Sequence, residues 1–295
     1  MKVFSVLAAV LVCFLILFYA VTFQTDTTSV PSPHIGSPQT GETENTPSPA
    51  KTPKSATEKE LALSALMKDS FGTVSGTCQW GVYTFGDSSY IYNRSETVPS
   101  ASVIKLFIME YTFALMERGL LTMEHTIEGV SVKSLLERMI TVSDNSATNA
   151  FIDYFGMEKM NAYFTETGYS ETQLNRRMLD YDAMANGIEN YTSVLDVMQF
   201  LRKLYDNKDS FPYKDMLDIM KRQTVRTKLP AKLPDEVVIA HKTGELDTVE
   251  NDVGIIFTEK EDFAVVCLCS ALSDRGSARS AISNAAFRIY QKILE

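Results

Sequence analysis

The sequence predicts an α+β fold: an antiparallel sheet formed by both ends of one domain, flanked by terminal helices, with an all-helical subdomain inserted between them. Three observations carry this expectation. Strand-like runs occur at residues 78–93 and again at 237–270, the long stretch between them holds only helix-period patterns, and a helix pattern stands at each outer edge. The cleft between the sheet part and the helical part is the natural place for a site.

Taken in order, Val3–Phe23 is a long apolar run preceded only by Met1 and Lys2, and it reaches the ~20 residues that span a bilayer. An uncleaved anchor or signal over residues 1–23 is favoured over a cleavable signal peptide, because no Ala-x-Ala-like site follows. Lys2 would stay on the cytoplasmic side and the rest would be exported to the cell surface. Residues 24–56 are rich in Thr, Ser and Pro and read as a disordered tether that holds the domain on the order of 30 Å from a membrane. The domain proper is residues 57–295.

Thr57–Ser70 reads as an amphipathic helix with Leu61, Leu63, Leu66 and Met67 on its apolar side. Cys78–Phe85 and Tyr90–Asn93 make a hairpin around Gly86-Asp-Ser-Ser89. Helices follow at about Val132–Thr141, Ser146–Phe155, Glu158–Thr167, Val194–Tyr205 and Tyr213–Arg222. Strands return at Val237–Lys242, Val249–Phe257 and Phe263–Ser270, and a last helix runs from about Ala278 to Leu294.

The net charge of −9 without a Lys/Arg-rich run argues against nucleic acid as a partner. With His34, His125 and His241 far apart and no cysteine at ligand spacing, neither a metal nor another cofactor is expected, and a monomer is. Cys267 and Cys269 share one face of a strand and cannot bridge each other; either could pair with Cys78, and buried free thiols are favoured.

Pro99–Gly119 reads as one helix, apolar on every side and therefore central to the domain. Two residues at its start break the pattern. Ser102 and Lys105, three apart, lie one turn above each other. An ammonium sent into a dry interior drops towards neutrality, as a base for a serine proton must. A Ser-x-x-Lys alone is weak, since Ser48-Pro-Ala-Lys51 also fits it inside the Pro-rich tract. Its companions give it weight. Ser143-Asp144-Asn145 lies between two helix patterns, where it either caps a helix or presents a hydroxyl and an amide to a cleft. Lys242-Thr243-Gly244 ends a strand, where it is either an ordinary turn entry or a carboxylate site with room for a substrate backbone.

These three motifs in this order resemble the class A β-lactamase and penicillin-binding protein superfamily over about Thr57–Glu295. The resemblance implies that Ser102 is the acylated nucleophile, Lys105 its proton acceptor, and Ser143 the donor to the leaving nitrogen. It implies that Asn145 holds the substrate amide and that Lys242, Thr243 and Gly244 meet the substrate carboxylate and backbone. The N–H groups of Ser102 and Glu245 would form an oxyanion hole, worth about 3 kcal/mol per donor. Glu171-Thr-Gln-Leu174-Asn175 resembles the Glu-x-x-Leu-Asn of class A enzymes, which makes Glu171 the expected base for deacylation and Asn175 its partner in holding water. Tyr169 then stands where a loop-fixing arginine is expected, the loop after Asn175 is long, and Glu245 replaces a small residue.

The expected activity is a serine acyl-enzyme hydrolase, with β-lactam hydrolysis as the leading assignment. A D-alanyl peptidase or esterase of cell-wall peptides, with Lys105 doing all the base work, is the alternative in the same fold. A non-catalytic wall-binding module is the alternative from another class.

Overall fold

The computed structural model describes residues 56–295. The expected anchor and nearly all of the tether lie outside the described residues. Among the described residues no helix is long and apolar enough to cross a membrane.

In chain order the elements are α1 (Glu58–Phe71), β1 (Thr77–Thr84), β2 (Tyr90–Tyr92), β3 (Val98–Pro99), α2 (Ile104–Glu117), β4 (Thr126–Ile127), β5 (Val130–Ser131), α3 (Val132–Thr141), α4 (Asn145–Phe155) and α5 (Met157–Thr167). There follow α6 (Tyr181–Ala185), β6 (Tyr191–Thr192), α7 (Val194–Asp206), α8 (Tyr213–Lys221), β7 (Ile239–Leu246), β8 (Val249–Ile256), β9 (Phe263–Ser270) and α9 (Arg275–Leu294). The main sheet has the order β2-β1-β9-β8-β7 with every pair antiparallel, so both ends of the domain complete it as expected.

Side chains that alternate across β9 serve different cores. Val265, Cys267 and Cys269 join Trp80, Leu63, Met67 and the α9 residues Ile282 and Ile289 under the terminal helices. Ala264, Val266 and Leu268 join the helical side, with Phe107, Leu136, Phe151 and Val197. A central strand covered on both faces must be apolar, and β9 is from Phe263 to Cys269.

The helix α1 begins with a capping box in which Thr57 and Glu60 satisfy each other's backbone N–H groups. Its buried face is Leu63, Met67 and Phe71, whereas Leu61, expected on that face, is 61% exposed. The helix α2 is buried at every residue from Ile104 to Phe113, as an all-round apolar segment requires. It does not begin at Pro99: Val98–Pro99 pair with Tyr191–Thr192, and Ala101–Val103 form a 3-10 turn before the α-helix starts.

The cysteines depart from expectation. Register places Cys78 opposite Cys269, their Cα atoms 4.1 Å apart, and the two form a disulfide, leaving Cys267 as a buried free thiol.

Candidate active site

The 3-10 turn that carries Ser102 is fixed from two sides. Ser100 donates its N–H to Asn190 O at 2.8 Å, and the Asn251 amide, inside β8, donates to Pro99 O and Ser100 O at 3.0 and 3.1 Å. Asn251 Oδ1 in turn accepts the N–H of Cys269 at 3.0 Å, so the turn is bolted to the middle of the sheet. Ala101 takes φ 46°, the left-handed region, just before the serine.

The strand β7 passes against this turn. A Cβ on Gly244 would stand 2.9 Å from Ser100 O, 3.1 Å from the Ala101 Cβ and 3.1 Å from the Ser102 N. Only glycine lets the strand come this close, and the approach brings β7 against the Ser102 turn, with Glu245 lining the same cavity as Ser102.

One turn into α2, Lys105 is fully buried. Its Nζ donates to Ser143 O at 2.7 Å, Ser143 Oγ at 3.2 Å and Asn145 Oδ1 at 2.8 Å. Lys242, also fully buried, donates to Ser143 Oγ at 2.9 Å and Thr243 O at 2.8 Å. One hydroxyl therefore lies between two amines. It is presented by a strained backbone, since Ser143 takes φ 58° between α3 and α4. Asp144 caps α4 through the Ala147 N–H and is held by Arg138.

Burial brings the Lys105 ammonium down to about 7, with the charge of Asp144 opposing the shift. Burial and then the neighbouring Lys105 hold Lys242 well below the usual lysine range. Two ammonium groups on one hydroxyl repel, so a proton gained at one is readily lost at the other.

Ser102 and Asn145 line a cavity of about 280 Å³ with Arg176, Met178, Tyr181, Glu245 and Arg275. A larger depression of about 540 Å³ at Tyr90, Met198 and Arg202 holds none of the motif residues. The structure thus brings Ser102, Lys105, Ser143, Asn145, Lys242, Gly244 and Glu245 together. Thr243 is adjacent in β7 and buried.

It does not bring Glu171 and Asn175 to them. The segment from Thr172 to Met178 alternates in burial: Thr172, Leu174, Arg176 and Met178 face inward, while Gln173, Asn175 and Arg177 face outward. Glu171 donates its N–H to Asp196 and its carboxylate accepts from the Thr97 hydroxyl. Asn175 Nδ2 donates to Glu189 O at 2.9 Å. Neither lines the cavity of Ser102. The inward residues include the loop-fixing arginine that was expected at Tyr169. Arg176 pairs with Glu189 at 2.7 Å, and Asn190 closes the loop by accepting the Arg176 N–H at 3.0 Å and donating to Arg176 O at 3.1 Å. Tyr169 instead lies in the core, its hydroxyl donating to Glu110 at 2.8 Å.

Sequence reasoning missed Met178. Its N–H and C=O are both bound by the Asn149 amide, at 2.8 and 3.1 Å, and its side chain is buried on the cavity wall. The signal in the sequence is the alternation of Leu174 and Met178 with polar Gln173, Asn175 and Arg177, which puts Arg176 and Met178 on one face of an extended segment.

This fold and this side-chain group define the β-lactamase and penicillin-binding protein superfamily. A sequence model of the β-lactamase enzyme family matches residues 62–293, and the chain belongs to that family. A β-lactamase of Bacteroides uniformis is 25% identical over 140 residues, covering 43% of this chain. The chain spans about half the length of the curated relatives it matches, 47% and 46%. The solved structure of PBP-A is 25% identical with a TM-score of 0.67 and covers 78% of this chain and 97% of that one. A β-lactamase structure from Chitinophaga pinensis, 19% identical, shares the fold with a TM-score of 0.72 over 79% of this chain and all of its own.

Proposed function

We propose that the chain is a serine acyl-enzyme hydrolase of cell-wall D-alanyl peptides that β-lactams acylate at Ser102 and leave slowly. In this reading neutral Lys105 takes the Ser102 proton as Oγ attacks the carbonyl, and the N–H groups of Ser102 and Glu245 meet the developing oxyanion. Ser143, between Lys105 and Lys242, hands a proton to the departing nitrogen. Asn145 and the end of β7 align the substrate. Water then attacks the acyl-enzyme with Lys105 as base.

The observation that carries this choice over rapid β-lactam hydrolysis is Met178. The wall beside Ser102 where a loop carboxylate would activate water is a thioether, and Glu171 is bound elsewhere. The family membership and the β-lactamase relatives favour β-lactam turnover as the second reading. We keep the membrane tether, an extracytoplasmic surface location and a monomeric state with the first reading. The apolar run Val3–Phe23 supports the tether.

The test is intact mass against time for the full chain mixed with a penicillin, with hydrolysis followed in parallel. A Ser102 adduct that outlasts many minutes is expected, and Ser102→Ala should form none. An adduct that clears as fast as product accumulates would support β-lactam hydrolysis instead. No adduct at all would remove β-lactams from the substrates.

A further inference from the structure

Glu245 places a carboxylate one residue beyond the lysine, hydroxyl and glycine that would receive an anionic substrate, and it lines the Ser102 cavity. Left to itself, such a charge would repel that substrate. The structure supplies a reason why it need not. Lys228, fully buried before β7, has its Nζ 3.1 Å from Glu245 Oε1 and 2.8 Å from Glu250 Oε2. It also donates to Gly244 O at 3.2 Å and Asn251 O at 3.0 Å. Arg279 joins from α9, 3.3 Å from Glu245 and 2.7 Å from Glu250, and Arg275 stands 3.8 Å from Glu250.

On the acyl-enzyme reading above, we propose that Lys228 is a specificity-determining residue, which keeps the site open to carboxylate-bearing acyl donors by holding the Glu245 carboxylate away from them. Two of the three ammonium protons of Lys228 go to Gly244 O and Asn251 O, and its charge lies within ion-pair range of both Glu245 and Glu250. It is therefore not a counter-ion for substrate. Its action passes through Glu245. Because Gly244 O precedes the Glu245 N–H in the chain, the same lysine also holds the strand end that supplies an oxyanion donor.

The charge and the positioning separate experimentally. Lys228→Gln keeps an amide donor for Gly244 O and Asn251 O but removes the cation. The probes are a benzoyl-D-alanyl thioester that ends in a carboxylate and its methyl ester. Both deliver the same acyl group to Ser102 and differ in the charge of the departing thiol. Thiol release and adduct mass give the acylation rate of each with the full chain.

The anionic-to-neutral rate ratio is expected to fall about tenfold or more in Lys228→Gln, and to return to within about threefold of the unsubstituted protein in Lys228→Gln/Glu245→Gln. An unchanged ratio in Lys228→Gln overturns the proposal. So does a ratio that stays low in the double variant, which would mean that Lys228 itself attracts the substrate. Should Lys228→Gln not fold, the double variant decides alone, since its charges leave as a pair: the unsubstituted ratio supports the proposal and a tenfold loss overturns it. If neither ester acylates the unsubstituted protein, the acyl-enzyme reading itself falls and this inference falls with it.

Discussion

Met178 and Lys105 divide the chemistry at Ser102 into two halves that single substitutions can address. Lys105 is buried among acceptors and brought down to about 7, so the acylating base is mostly protonated below that pH and mostly free above it. The acylation rate should therefore rise with pH through an inflection near 7, which stopped-flow acylation by a β-lactam chromophore would show. Met178 belongs to the second half. Met178→Glu sets a carboxylate on the wall of the Ser102 cavity and should shorten the life of the penicillin adduct by about a hundredfold, the scale of general-base catalysis. Glu171→Ala, outside that cavity, should change the lifetime less than twofold in the same mass assay. The motif serines and lysines were legible because chemistry restricts the residue types in three separated places at once. Glu171 misled because Glu-x-x-Leu-Asn states a spacing but not a face. Its segment is extended, and period-two burial turns Asn175 outward while turning Arg176 and Met178 inward.

At the scale of elements, the site is where a 3-10 turn, a helix–helix turn and a strand end meet. The sequence announced α2 by its unbroken apolar character and β7 by the apolar run Val237–Ala240 that leads into Lys242; both are found, with β7 running from Ile239 to Leu246. The 3-10 turn at Ala101–Val103 was not visible, because Pro99 and Ser100 are equally good start signals for an α-helix. The two-residue pairing of Val98–Pro99 with Tyr191–Thr192 decides the matter, and that contact is remote in sequence. Leu61 shows the same limit: four apolar residues on α1 offered a wide stripe, and only packing under α9 selects Leu63, Met67 and Phe71. The approach of β7 to the nucleophile turn depends on Gly244. Gly244→Ala would push a methyl group to within 3.1 Å of the Ser102 N, and backbone gives way poorly. Unfolding in urea should show a loss of about 1–3 kcal/mol, and adduct formation should slow more than tenfold as the oxyanion donors move apart.

At the scale of the molecule, one five-stranded sheet separates two cores, and the disulfide ties its first and last long strands in sequence. The topology was legible because strand patterns at both ends leave few other ways to bury them. The cross-link was not, because the choice between Cys267 and Cys269 is a choice of register. Closing a sequence separation of 191 residues restricts the unfolded chain strongly, so Cys78→Ser should lower stability by about 2–4 kcal/mol in equilibrium denaturation under non-reducing conditions. The loop between Arg176 and Asn190 has a further consequence. Its base is clasped by Arg176, Glu189 and Asn190, and the Ser102 turn leans on that base through Asn190 O, while Lys105, Ser143 and Lys242 hydrogen-bond among themselves and Asn145, outside it. The segment within the clasp is thus an exchangeable cassette, and descendants of this chain could trade a long-lived acyl bond for rapid turnover by rewriting that cassette alone.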